Sequence, residues 1–84
     1  MIEIELSGGI IAELTSLVGE RVSLRSAQAA APGSRLDGVV LGDRHLRIKV
    51  HRCLRSGDRF EIEGRFFDLT RELRELLQER ISAL

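Results

Sequence analysis

The sequence predicts a small, mainly β domain with flanking helices. Short runs in which apolar and polar residues alternate recur along the chain, and turn residues separate them. A stripe of leucines with helical spacing follows the last of these runs. At 84 residues, the chain is too short for two separately folded cores. We therefore expect one domain over residues 1–84, built as a strongly bent antiparallel barrel with a helical extension from about residue 68.

The first two predicted elements are a strand and a helix. Met1–Leu6 alternates apolar residues with glutamate, which is typical of a half-buried strand, and Ser7–Gly9 ends it. Over about residues 9–18, apolar residues recur at i, i+1, i+4, i+7 and i+8, which predicts a short N-terminal helix. These residues are Ile10, Ile11, Leu14, Leu17 and Val18. Ser7 is the expected N-cap of this helix, and Gly19 is the expected C′ residue.

Four further strands complete a predicted barrel of five. They are Glu20–Ser26, Arg35–Leu41, Leu46–His51 and Phe60–Arg65. An irregular connection around Pro32 follows the first of them, and Ser56–Asp58 has the composition of a hairpin loop. Gly38 and Gly64 interrupt otherwise regular strands, so we expect bends or bulges there.

The C-terminal segment predicts a second helix, over about residues 69–82, with an apolar stripe. The stripe is Leu69, Leu73, Leu76, Leu77 and Ile81. Asp68 or Thr70 can cap the helix. We expect the stripe to pack on the chain's own barrel. The alternative is that it binds a partner helix or a neighbouring subunit.

The charges balance in number but not in distribution. Thirteen basic and thirteen acidic residues give a net charge of zero, which is not typical of a strongly basic nucleic-acid binder. Between Asp43 and Asp58, however, every charge is positive. A hairpin centred on Gly57 would place His51 opposite Glu63 and Cys53 opposite Glu61. A solvated, salt-bridged face is therefore the default interpretation of this basic run.

The number of cysteines and the hydropathy of the sequence limit the cellular compartments in which the protein is expected. The single cysteine, Cys53, excludes an internal disulfide and suits a reducing compartment. No apolar run approaches the ~18 residues of a membrane span, and no basic segment precedes an apolar one at the start. The sequence thus predicts a cytoplasmic protein without a membrane partner. A metal site at His51, Cys53 and Glu63 lacks the repeated ligand spacing that such sites show, so neither a metal nor a cofactor is expected.

Three segments carry a resemblance to a known family. Leu14–Leu24 reads LTSLVGERVSL and is similar to the first Sm motif, Leu-x-x-Leu-Ile-Gly-Lys-x-Val-x-Val. Gly38–Val40 and then Asp43–Val50 resemble its continuation, with an interval one residue shorter. Phe60–Phe67 resembles the second motif, Val-x-Ile-Arg-Gly-x-x-Ile. In this order and over most of the chain, the sequence resembles the Sm/LSm family of ring-forming, RNA-associated proteins.

The resemblance implies an Sm-like (SH3-type) barrel whose unpaired edge strands join copies into a homo-oligomeric ring. It also implies a non-catalytic protein that binds single-stranded RNA at the face or pore of that ring. The implied RNA-binding residues are Asp43, His45, Leu46, Arg47, Gly64 and Arg65. In this interpretation His45 stacks on a base, and Arg47 and Arg65 hold phosphate.

Two departures from the family pattern favour an alternative. Arg47 stands where the family commonly has the base-binding Asn, and Glu63 stands where it commonly has Arg. The alternative is an Sm-fold scaffold or protein-interaction module that has lost the RNA pocket. A third possibility is an unrelated SH3-type barrel in which the spacing of the Sm motifs is coincidental. No nucleotide-binding loop or nucleophile motif is present, and an enzyme is not expected.

Overall fold

A computed structural model describes residues 2–82, which form a closed six-stranded barrel and one C-terminal helix. The elements are β1 (Ile2–Leu6), β2 (Ile10–Val18), β3 (Arg21–Ser26), β4 (Arg35–Val40), β5 (Arg44–Ser56), β6 (Arg59–Phe67) and α1 (Arg71–Ser82). The mainly β class and the C-terminal helix are therefore confirmed. Met1, in the predicted first strand, and Ala83 and Leu84, in the predicted domain, lie outside the described residues.

The predicted N-terminal helix is wrong, because its residues form strand β2. Ala12 and Leu14 alternate inward as in any strand, and the register then shifts between Leu14 and Ser16. This β-bulge leaves Thr15 without an opposite residue, so the next inward side chain is Leu17. The bulge leaves the core residues Ile10, Leu14 and Leu17 four and three residues apart, which is also the spacing of a short amphipathic helix.

The two residues predicted to cap the N-terminal helix lie instead in the turns on either side of β2. Ser7 lies in the β1–β2 turn, where its backbone N–H donates to the carbonyl oxygen of Asp37 at 2.9 Å. Gly19 begins the β2–β3 turn with a φ of 62°, a conformation that glycine adopts without steric cost. The residues that suggested helix caps are thus hairpin residues.

The extra strand closes the barrel. All strand pairs are antiparallel, and the strand order is β1-β2-β3-β6-β5-β4. Ile4 lies opposite Ala12 on one side and opposite Val40 on the other, so β1 joins β2 to β4. Between residues 2 and 82, no strand is left unpaired along its whole edge, because closure removes such edges. The barrel therefore has six strands and is closed, whereas five strands with unpaired edges were expected.

Helix α1 packs on its own barrel, against β1 and β2. Leu73 and Leu77 are buried in the core, and Leu69 and Ile81 pack beside them. Thr70 caps the helix, because its Oγ1 accepts a hydrogen bond from the backbone N–H of Leu73 at 3.2 Å. Of the two expected uses of this stripe, packing on the same chain is the one observed.

The β5–β6 hairpin sets the register of the surface described next. Its turn is the pair Gly57–Asp58, and β5 carries a bulge between Val50 and Arg52. As a result, Glu63 lies opposite Arg52 and Glu61 lies opposite Leu54, one residue away from the predicted partners His51 and Cys53.

The two strand glycines mark close approaches between strands. A Cβ added to Gly64 would collide with the backbone carbonyl oxygen of Lys49, beside the β5 bulge. At Gly38, an added Cβ would lie 2.7 Å from Cγ2 of Ile4. Both predicted positions are therefore tight, and Gly64 alone adjoins a bulge.

Candidate functional site

The residues expected to bind RNA divide between the surface and the core. Asp43 is exposed in the β4–β5 turn, and His45 and Arg47 are exposed on the outer face of β5. Leu46 is only 4% exposed and belongs to the barrel core, so its side chain is not available to a ligand. Arg47 has Nε 3.7 Å from Oδ1 of Asp37 on the neighbouring strand. The structure thus brings His45 and Arg47 together and removes Leu46 from the site.

The other two predicted residues lie on β6. Gly64 is buried. Its role is to allow the close approach of β5 and β6 described above, and it offers no side chain to a ligand. Arg65 is exposed on the outer face of β6, directly opposite Lys49 of β5. Of the predicted residues, Arg65 is therefore the one that belongs to the basic surface described next.

Four strands each place one exposed cation at the same level of the barrel. Arg21 of β3 lies opposite Arg65 of β6, Arg65 lies opposite Lys49 of β5, and Lys49 lies opposite Arg35 of β4. All four side chains are exposed. We call Arg21, Arg65, Lys49 and Arg35 the basic row. Because neighbouring strands are about 4.8 Å apart, the row crosses the outer surface over roughly 14 Å.

In the described part of the chain, the cations of the basic row form no ion pair with a carboxylate. Within residues 2–82, no member of the row has a carboxylate oxygen within 4.0 Å, whereas Arg25, four residues from Arg21 along β3, pairs with Glu61 at 3.5 Å. The guanidinium carbon of Arg35 lies 5.3 Å from the ring centroid of Phe67, a cation–π contact that orients the side chain but adds no negative charge. Like charges directly opposite each other destabilise a sheet, so this arrangement favours an anionic ligand.

Three acidic residues cluster on β1 and β2. Glu3 of β1 lies opposite Glu13 of β2, and Glu5 follows on the same side of β1. The other ten acidic residues are distributed over β4, β6, α1 and the connections. The total charge of zero therefore gives no indication of a locally basic surface.

A groove lies beside the basic row, on the outer surface formed by β2, β3, β6 and β5. Its volume is about 730 Å³. Arg21 and Arg65 of the basic row line it. A second row, two residues along the strands and so about 7 Å away, lines it as well. In this second row Ser23 lies opposite Glu63, and Glu63 lies opposite Arg52. The remaining lining residues are Ser16, Val18, Val22, His51 and Gly64.

The bulge in β5 adds a further basic side chain to the groove. His51 and Arg52 are consecutive residues, which normally point to opposite faces of a sheet. Both are exposed here, because the bulge interrupts that alternation. The predicted salt-bridged face is thus only partly present: Arg44 pairs with Glu72 at 3.2 Å and Arg47 with Asp37, but Arg52 has no carboxylate within 4.0 Å in the described part of the chain.

Sequence reasoning missed Arg21 and Arg35 as site residues and assigned Lys49 to a neutralised face. Alternation showed that each points outward, but their alignment depends on the pairing of strands that are distant in sequence. The signal that could have found them is the outward position of one cation in each of four predicted strands.

The comparisons add no family. Searches against family models, curated proteins and solved structures returned no match for this chain. The resemblance to the Sm/LSm family therefore stays a prediction from the sequence. Within residues 2–82, no helix has the length and apolar character needed to cross a membrane.

Proposed function

We propose that this protein is a non-catalytic RNA-binding protein, which binds single-stranded RNA on the outside of its barrel along the basic row. The observation that carries the proposal is the alignment of Arg21, Arg65, Lys49 and Arg35 without a neutralising carboxylate. A polyphosphate backbone supplies regularly spaced negative charge to such a line, and guanidinium groups bind phosphate with bidentate geometry. His45 and Arg47 extend the same outer face of β5 toward the β4–β5 turn.

The scaffold alternative receives less support from the surface. The core of a protein–protein interface is apolar and rich in aromatic residues. The large exposed apolar side chains among the described residues are Ile11, Val18 and Leu54, which lie on β2 and at the far end of β5. Ile11 lies opposite Glu5 and Leu54 opposite Glu61, outside the basic row, whereas Val18 is a single exposed apolar residue opposite Arg21. An exposed line of cations therefore favours phosphate over a protein surface.

A homo-oligomeric ring stays a prediction. Its expected cause was a set of unpaired barrel edges, and the pairing of β1 with β4 removes that cause. RNA binding along the basic row needs only one copy of the chain.

The test is a fluorescence-anisotropy titration with labelled oligouridylate and oligoadenylate of about 12 nucleotides. Four phosphate contacts on a single strand give a slope of about −2.8 in log K against log salt, so affinity should fall roughly 50-fold between 50 and 200 mM salt. Arg21→Gln should weaken binding and reduce the magnitude of the slope by about 0.7. Arg25→Gln is the matched control, because it makes the same charge change on the same strand outside the basic row.

Two results would overturn the proposal. One is the absence of salt-sensitive binding at micromolar protein. The other is an equal loss of affinity in the Arg21 and Arg25 variants, which would mean that total charge rather than the basic row matters. Tighter binding of polyglutamate than of either RNA would favour the scaffold alternative.

A further inference from the structure

The groove is lined by one carboxylate in a basic environment, and that carboxylate makes no ion pair with the residues that the structure describes. Glu63 lies directly opposite Arg52, with Arg65 two residues along the strand. None of the ion pairs or side-chain hydrogen bonds found between residues 2 and 82 uses it. A carboxylate accepts hydrogen bonds and repels phosphate. A ligand that presents a hydrogen-bond donor to Glu63, beside an anion that the arginines hold, would therefore complement this groove.

The spacing of the groove residues fits the two polar parts of a nucleotide backbone. Arg65 and Glu63 are two residues apart on one face of β6, and hence about 7 Å apart along the strand. This separation is comparable with that between the 5′-phosphate and the 2′-hydroxyl of one ribonucleotide. Arg21, opposite Arg65, adds a second guanidinium for the phosphate, and Ser23, opposite Glu63, adds a hydroxyl for the sugar.

The rest of the lining favours recognition of the backbone over recognition of a base. Ser16, opposite Ser23, contributes a second short hydroxyl side chain. His51 is the one residue with a ring among the groove's lining residues, so stacked aromatic platforms of the kind that hold successive bases are not formed there. Hydroxyl and carboxylate groups are suited to a sugar, which every nucleotide carries.

We infer that the groove is a ribonucleotide subsite, in which Arg21 and Arg65 hold a phosphate and Glu63 accepts a hydrogen bond from the ribose 2′-hydroxyl. This inference rests on the proposed function and adds a choice of sugar to it. Deoxyribose has no 2′-hydroxyl, so a DNA strand leaves the carboxylate facing a C–H group while the phosphate repels it. A lost hydrogen bond to a charged group corresponds to about a 10-fold preference for RNA over DNA of the same sequence.

The test compares an oligouridylate with an oligodeoxyuridylate of the same length and label. The wild-type protein should bind the RNA about 10-fold more tightly. In Glu63→Ala the ratio should fall close to 1, because DNA binding strengthens when the repulsive charge is removed and the RNA loses its acceptor. A purely electrostatic role for Glu63 would instead strengthen binding of both oligomers equally and leave the ratio unchanged.

Glu61→Ala is the control for this experiment, since Glu61 lies on the same face of β6 and outside the groove, paired with Arg25. It should leave the RNA-to-DNA ratio at its wild-type value. Equal wild-type affinities for RNA and DNA, or a ratio that persists in Glu63→Ala, would overturn this inference and leave the proposed binding surface intact. Binding of neither oligomer would overturn the proposed function itself.

Discussion

Replacing the central cation of the basic row should make the protein without ligand more stable at low salt. Arg65 lies between Arg21 and Lys49, and each is directly opposite it on a neighbouring strand. A directly opposed charge pair on a sheet changes stability by about 0.2–1 kcal/mol, and like charges act unfavourably. Arg65→Gln removes two such repulsions and keeps much of the side-chain length. We expect the free energy of unfolding to rise by about 1 kcal/mol, which raises the Tm of a domain of this size by about 4–8 °C.

The assay is urea unfolding at about 10 mM and at about 1 M salt, where the Debye length falls from 30 to 3 Å. The gain of Arg65→Gln should be present at low salt and absent at high salt, with an unchanged m-value. Arg25→Gln is the matched variant, because Arg25 pairs with Glu61 at 3.5 Å and half-exposed pairs of this kind stabilise by up to about 1 kcal/mol. It should lower stability at low salt. A neutral or destabilising effect of Arg65→Gln at low salt would refute the view that the basic row is unneutralised, as would a gain that persists at high salt.

Three further predictions concern the fold. Gly64→Ala should lower the free energy of unfolding, measured in urea, by about 2 kcal/mol or more, since the new Cβ meets the backbone carbonyl of Lys49. Gly38→Ala should lower it by less, because the new Cβ there first meets a side chain. Equal losses in the two variants would contradict this prediction. Thr70→Ala should remove the helix cap at a cost of about 1 kcal/mol, measured in the same way, with Thr70→Ser retaining most of the stability. Leu77→Ala, in a fully buried position, should cost about 2–5 kcal/mol and lose hydrogen-exchange protection in β1 and β2 as well as α1; loss confined to α1 would show that the helix is not part of the core.

Alternation located five of the six strands, although β5 continues to Ser56, beyond the predicted end, because the bulge after Val50 interrupts its inward face. Strand β2 is the exception, since its bulge at Thr15 replaces one interval of two residues by one of three. A competing signal was present: Ile10, Ile11, Thr15 and Val18 are β-branched residues, which favour strands over helices. In a strand with a bulge, the spacing of apolar residues can imitate a helix, and the β-propensity of the residues is then the better indicator.

The candidate site could be predicted only in part, for a different reason. Outward positions follow from alternation, but the resemblance to the Sm motifs, and not alternation, singled out Arg47 and Arg65. Which outward residues are neighbours depends on register, and register depends on the β5 bulge and on the pairing of β3 with β6, which are far apart in sequence. The bulge moved Glu63 opposite Arg52 instead of His51. That one-residue shift placed a third arginine, Arg52, in the groove, whereas the pairing of Lys49 with Arg65 lies before the bulge and keeps the predicted register.

The most direct measurement of the central claim is a titration of ¹⁵N-labelled protein with an unlabelled oligouridylate, followed through the backbone amide signals. If the basic row binds the phosphates, the largest shifts will belong to residues of β3, β6 and β5 around Arg21, Arg65 and Lys49. The acidic face around Glu3 and Glu13 will remain unchanged. Shifts centred on that acidic face or on α1, or no saturable shifts at all, would contradict the account.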